Sequence, residues 1–121
     1  MALFTFDTFT GKYAICWGNA VNIKNSITKT GKHVTSFSIN YGKVGSDNLF
    51  QNCTAWNDIS RLYLNRLDKG DMVIVVGRME KDDYWSERNG TDEYRLTVEW
   101  ANVQEQFSND DVDEELDLSE L

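Results

Sequence analysis

Five short segments with strand periodicity, and one helical segment between the third and fourth, constrain this chain more than any other feature. Residues 13–21 are largely apolar and aromatic. Residues 34–41 (VTSFSINY) place Phe37, Ile39 and Tyr41 on one face and Ser36, Ser38 and Asn40 on the other, the period-two alternation of a half-buried strand. Residues 49–56 (LFQNCTAW) alternate again, residues 72–77 (MVIVVG) form a continuous β-branched run suited to a well-buried strand, and residues 94–103 place Leu96, Val98 and Trp100 together. Residues 58–66 carry Ile59, Leu62, Tyr63 and Arg66 at helical spacing, opened by Asp58 as N-cap and closed by Lys69-Gly70.

The order β-β-β-α-β-β predicts an all-β OB-fold, a five-stranded Greek-key barrel with one short helix between strands three and four. Asn89-Gly90, inside the polar stretch 81–92, predicts a protruding β-hairpin arm. Residues 25–32 and 42–48 read as turns, and the first dozen residues (Phe4, Phe6, Phe9) as an extra strand or a segment packed on the barrel. At 121 residues the chain suits one domain that can bury a modest core unaided. No apolar run approaches a membrane span and no secretory signal is evident, so a cytoplasmic placement is expected.

The net charge of −8 misleads. Residues 108–121 (SNDDVDEELDLSEL) hold seven of the 20 acids and no base, leaving 13 acids against 12 bases elsewhere. Residues 8–46 carry Lys12, Lys24, Lys29, Lys32 and Lys43 and no acid. A basic stretch and an acidic tail therefore coexist. The expected division is 1–107 as the folded domain and 108–121 as a disordered acidic tail, whose Asp110, Asp111, Asp113, Glu114, Glu115, Leu116, Leu118 and Leu121 suit docking on a basic partner or competition with a polyanion.

Little in the chain suggests catalysis. One histidine, His33, no phosphate loop and only an acidic cluster at Glu80, Asp82 and Asp83 leave a metal-dependent nuclease as a remote alternative. Cys16 and Cys53 lie in apolar strands and read as buried thiols; neither a metal nor another cofactor is expected. Binding is better supported. Among 15 aromatics, Phe50 and Trp56 share a face of the third strand with Asn52 and Thr54, while Cys53 and Ala55 face inward. Tyr84 and Trp85 stand among charges on the arm. Trp17 and Trp100 suit a core or subunit contact, and Tyr41 is even between burial and exposure. Aromatic platforms flanked by lysines grip single strands through base stacking and phosphate contacts.

These segments resemble the bacterial and bacteriophage single-stranded-DNA-binding proteins. The resemblance rests on Cys16-Trp17-Gly18-Asn19, on Thr30-Gly31-Lys32 with 34–39, on 50–56, on Lys69-Gly70 through Gly77-Arg78, on the spacing of Trp85, Gly90 and Tyr94, and on Val103-Gln104, in order over about residues 14–107. It implies sequence-independent binding of single-stranded DNA in replication, recombination and repair, stacking at Phe50, Trp56 and Trp85, homo-oligomers (dimers or tetramers), and an acidic tail that recruits replication and repair proteins. The expected interface adds Tyr84, Tyr41, Asn52, Thr54, Lys24, Lys29, Lys32, Lys43, Arg78 and Arg88. The tail ends Leu-Ser-Glu-Leu without the family's Pro-Phe tip or long linker, which suggests a phage-type version. The alternative is an OB-fold interaction module or DNA mimic that does not bind DNA.

Overall fold

The computed structural model describes residues 1–104; the tail residues named above lie outside them. The elements run β1 (Ala2–Thr8), β2 (Gly11–Ile27), β3 (His33–Val44), β4 (Asp47–Trp56), α1 (Asn57–Tyr63), β5 (Met72–Lys81), α2 (Asp83–Asn89) and β6 (Tyr94–Gln104). The sheet order is β1-β2-β3-β4-β6-β5, with a further β2–β5 pairing. All ladders are antiparallel except β4–β6, which is parallel over Cys53↔Leu96 and Thr54↔Thr97.

Strand alternation builds the interior. Ala14, Cys16 and Ala20 of β2, Thr35, Phe37 and Ile39 of β3, Cys53 and Ala55 of β4, Val73 and Val75 of β5, and Leu96, Val98 and Ala101 of β6 are all buried. Each fully buried Val, Leu or Ile contributes about 1.5–3 kcal/mol. Small residues on β2 and β4 leave room for Leu64 and Leu67, which are buried at and just beyond the C-terminal end of α1. Ser60 of α1 is buried too and shares a 2.5 Å hydrogen bond with Thr35, whose hydroxyl lies 2.7 Å from Asn25 Oδ1. Cys16 and Cys53 are free, buried thiols. Burial pushes Cys16 up to about 12, and burial, then Cys16, pushes Cys53 up as well.

Two glycines permit close strand crossings. A Cβ at Gly18 would run into the Asn40 carbonyl, and one at Gly77 into the Thr97 carbonyl. These close approaches give a packing reason for the two glycines in the Trp17-Gly18-Asn19 and Gly77-Arg78 motifs.

Within the first dozen residues, Ala2–Thr8 form β1, the extra strand among the two expectations for this segment; it pairs with β2 from Ala2↔Trp17 to Thr8↔Gly11. Several expectations need correction. The segment 81–92 is not a hairpin arm. Residues 83–89 are helical, Asp82 Oδ1 accepts from Trp85 N at 3.2 Å, and Gly90 closes the helix at φ 70°. Asn-Gly supplies a left-handed residue to a helix C-terminus as readily as to a hairpin turn, and here the Asp82 cap decides. There are thus two short helices in the described region rather than one. α1 starts after Trp56 with no side-chain cap, so Asp58 lies in its first turn. It stops at Tyr63, well before Lys69-Gly70, which lie in the turn entering β5. β2 runs on to Ile27 and β3–β4 form a hairpin through Val44 and Asp47, so much of both supposed turns is ladder. Trp100 does not join Leu96 and Val98 inside. The β5–β6 register jumps between Val76↔Trp100 and Gly77↔Val98. This bulge inverts the side-chain phase: Ala101 turns in, and Trp100 turns out at 42 % exposure.

Candidate nucleic-acid interface

Residues paired across antiparallel strands project to the same side, so the registers of β2, β3 and β4 define one outward stripe in four rows. The rows are Ser26–Val34–Trp56, Lys24–Ser36–Thr54, Val21–Ser38–Asn52 and Asn19–Asn40–Phe50. Beyond the Asn40/Gly42 bulge the row Lys43–Asn48 continues it. Phe50 and Trp56 stand at opposite ends, 51 % and 43 % exposed. Six residues of strand separate them by about 20 Å, the length of several bases stacked at roughly 3.4 Å. Between them Ser38 Oγ donates to Asn52 Oδ1 at 2.8 Å. That bond uses the acceptor end of Asn52 and leaves its amide N–H groups turned to solvent as donors.

Basic groups flank both ends. Lys29 and Lys32 sit in the β2–β3 turn beside the Trp56 row, and Thr28 fixes that turn by accepting from Lys32 N at 3.0 Å. Lys43 lies beyond the Phe50 row, and Lys24 lies in the middle. All four are exposed. Among the described residues the ion pairs are Arg61–Asp58 and Lys81–Asp92, so these four lysines keep their charge for an external anion.

α2 adds a second aromatic group at the Phe50 end. Ser86 ties it to β6, its hydroxyl donating to Glu93 O at 3.2 Å and accepting from Glu93 N at 2.7 Å. The next residue, Tyr94, accepts through its carbonyl from Gln51 Nε2 at 3.1 Å, which links this junction to β4 beside Phe50. On α2, Tyr84 and Trp85 meet edge-on, centroids 5.2 Å apart. The Arg88 guanidinium lies 5.7 and 5.8 Å from their rings and donates to Tyr84 Oη at 3.0 Å. Both rings remain exposed.

The structure therefore brings together Phe50, Asn52, Trp56, Lys24, Lys29, Lys32 and Lys43, with Tyr84, Trp85 and Arg88 on the adjoining helix. Three expected members fall outside. Thr54 has the right parity but is buried between Ser36 of β3 and Thr97 of the parallel β6 strand. Tyr41, the bulge residue, packs against the core; burial, then Cys16, raises its hydroxyl pKa. Arg78 is on the far side of the ladder, where it donates to Thr10 O at 3.0 Å and Tyr13 Oη at 2.9 Å. Two of the acids once considered for metal binding have structural places: Asp82 caps α2 and Asp83 lies in its first turn. No group of three or more potential metal ligands occurs among the described residues.

A second aromatic surface went unread in the sequence. Phe4 and Phe6 of β1 lie over β2, Phe4 5.6 Å from Trp17 and Phe6 6.1 Å from Tyr13. The alternation Phe4-Thr5-Phe6, set beside Tyr13 and Trp17, is the signal that identifies it.

The Single-strand binding protein family matches residues 14–106. No curated protein matches the chain in sequence. Among solved structures, a deletion mutant of the single-stranded DNA binding protein from Thermus aquaticus superposes with a TM-score of 0.61 at 18% identity, covering 86% of this chain and 47% of that one. The dimeric N-terminal domain of PriB from Thermoanaerobacter tencongensis gives 0.57 at 12% identity, covering 78% and 97%. The SSB domain of a Synechococcus protein gives 0.56 at 13% identity, covering 74% and 92%. The chain thus spans about half the length of the Thermus protein.

Proposed function

The chain belongs to the single-strand binding protein family, and from that premise we propose that it binds single-stranded DNA without sequence preference. The carrying observation is the outward stripe of β2–β4, with Phe50 and Trp56 exposed at its ends, the exposed Asn52 amide between them, and lysines along it that have no ion-pair partner among the described residues. Bases stack on Phe50, Trp56 and, at the α2 end, Trp85 with Tyr84. Lys24, Lys29, Lys32, Lys43 and Arg88 take phosphates. Duplex DNA hides its base faces and is excluded. Five of the strands, β2-β3-β4-β6-β5, return to β2 by pairing, which supports reading them as the Greek-key barrel of an OB-fold.

The protein is a binding module and not an enzyme. It coats and protects single strands in the cytoplasm during replication, recombination and repair, as a homo-oligomer, in a phage-type setting. Its acidic tail recruits partner proteins or competes with the strand. Competition among labelled oligo-dT, unlabelled single strand and unlabelled duplex tests the binding. Displacement by single strand but not by duplex is expected; equal displacement contradicts stacking as the basis of recognition.

A further inference from the structure

Gln51 is a buried polar side chain, 7 % exposed, between Phe50 and Asn52 on β4. Its register partner on β3 is Ile39, which is fully buried. Partners across an antiparallel ladder project to the same side, so Gln51 points inward, away from the outward stripe. A buried amide is costly unless its groups are bonded. Here Gln51 Nε2 donates to Asn52 O at 2.9 Å and to Tyr94 O at 3.1 Å. Both partners are carbonyls, so the nitrogen, with its two protons, is the end of the amide that faces them.

The bond to Tyr94 stands where the backbone ladder between β4 and β6 has ended. That parallel ladder comprises Cys53↔Leu96 and Thr54↔Thr97. Two residues back along each strand lie Gln51 and Tyr94, and there a side chain makes the link that the two backbones no longer make. The contact continues into α2. Glu93, next to Tyr94, accepts through its carbonyl from Asp82 N at 2.8 Å and from Ser86 Oγ at 3.2 Å, and donates its N–H to Ser86 Oγ at 2.7 Å. Ser86 follows Trp85, whose backbone N–H is held by Asp82 Oδ1. Hydrogen bonds between neighbouring residues therefore lead from the middle of β4 to the Trp85 backbone.

We propose that Gln51 is a positioning residue, whose amide sets the place of α2 against β4 so that one strand stacks on Phe50 and on Trp85 together. This rests on the single-strand-binding reading of that face. Gln51 itself touches no nucleic acid and acts through Trp85. An aliphatic side chain would fill the same space, but it would take the donor from the Tyr94 carbonyl and release the α2 junction from β4.

A double-mutant cycle read as oligo-dT affinity tests the proposal. Gln51→Met keeps the length and volume of the side chain and removes both N–H donors. It should weaken binding about fivefold in the parent, and about fivefold again in a Trp56→Ala background, because Trp56 lies at the far end of β4. In a Trp85→Ala background the same substitution should cost less than about twofold, because the ring it positions is gone. A general loosening of the fold would weaken binding in all three backgrounds alike. Equal losses in all three, or no loss in the parent while Trp85→Ala alone weakens binding, overturn the positioning role and leave the stacking site standing. A Trp85→Ala chain that binds like the parent removes α2 from the site and overturns both readings, as does a parent that does not bind. Gln51→Asn, one methylene too short to reach Tyr94, carries the same cycle should Gln51→Met fail to fold. NMR of the parent needs no variant: the Gln51 side-chain amide protons should exchange slowly with water, and fast exchange of both overturns the proposal.

Discussion

Replacing Trp56 by alanine separates stacking from charge. Trp56 lies at the C-terminal end of β4, opposite Val34, and keeps 43 % of its surface exposed. A base stacked on an aromatic ring contributes about 1–3 kcal/mol, so Trp56→Ala should weaken oligo-dT binding roughly five- to hundredfold. Trp56 carries no charge, so the slope of log K against log salt should not change. Lys24→Ala provides the contrast. It removes one phosphate contact and should lower the slope by about 0.7, with a smaller loss of affinity at high salt. The truncation also removes the half-buried part of the indole, at about 1–2 kcal/mol of folding stability, which a domain of ordinary stability survives. Fluorescence-anisotropy titrations at several salt concentrations, with a urea melt of each variant, measure all three quantities. Unchanged affinity in Trp56→Ala, or a slope change equal to that of Lys24→Ala, would refute the stacking role.

Gly18→Ala should destabilise by about 1–3 kcal/mol, since its Cβ meets the rigid Asn40 carbonyl and not a flexible side chain; the urea midpoint checks this. Cys16 and Cys53 should resist a thiol reagent at pH 8 until urea unfolds the chain, because burial keeps both thiols protonated. The folded pKa of Cys16 is raised from 9.0 to about 12. Its stabilising effect is therefore complete below pH 9 and is lost as pH rises toward 12, where the unfolded chain sheds a proton that the folded chain retains; the urea midpoint should fall between pH 8 and pH 10. Asp82→Ala removes the cap of α2, at about 1 kcal/mol. Oligo-dT affinity should fall as Trp85 loses its fixed position, with a drop in the urea midpoint no larger than about 1 kcal/mol accounts for.

The parts of the fold legible in sequence are those where period-two burial acts alone. Phe37 and Ile39, and Cys53 and Ala55, turn inward as their alternation indicates. The stripe carrying Phe50, Asn52 and Trp56 was legible for the same reason. The continuous run 72–77, read as a well-buried strand, buries Val73 and Val75 but leaves Met72, Ile74 and Val76 half-buried on the other face. The misreadings fall where a single residue changes the phase or the local geometry. The β5–β6 bulge sends Trp100 outward. Tyr41 packs against the core on the side its alternation with Phe37 and Ile39 indicates, so the inward alternative for it is the one the structure takes. Thr54 has the parity of the stripe, but the parallel arrival of β6 covers it, a long-range event that local alternation does not encode. Asn89-Gly90 serves hairpin turns and helix ends alike, and the helix follows from a cap seven residues earlier. Arg78 has the chemistry of a phosphate contact, yet its position beside Thr10 and Tyr13 depends on where β1 and β2 join.

The most direct test of the central claim is intrinsic tryptophan fluorescence during titration with poly-dT at low and high salt. Stacking at Trp56 and Trp85 predicts strong, saturable quenching that weakens as salt rises, by about 0.7 in log–log slope for each phosphate contacted. No quenching at low salt would contradict the account and assign the exposed aromatics of β4 and α2 to a protein partner.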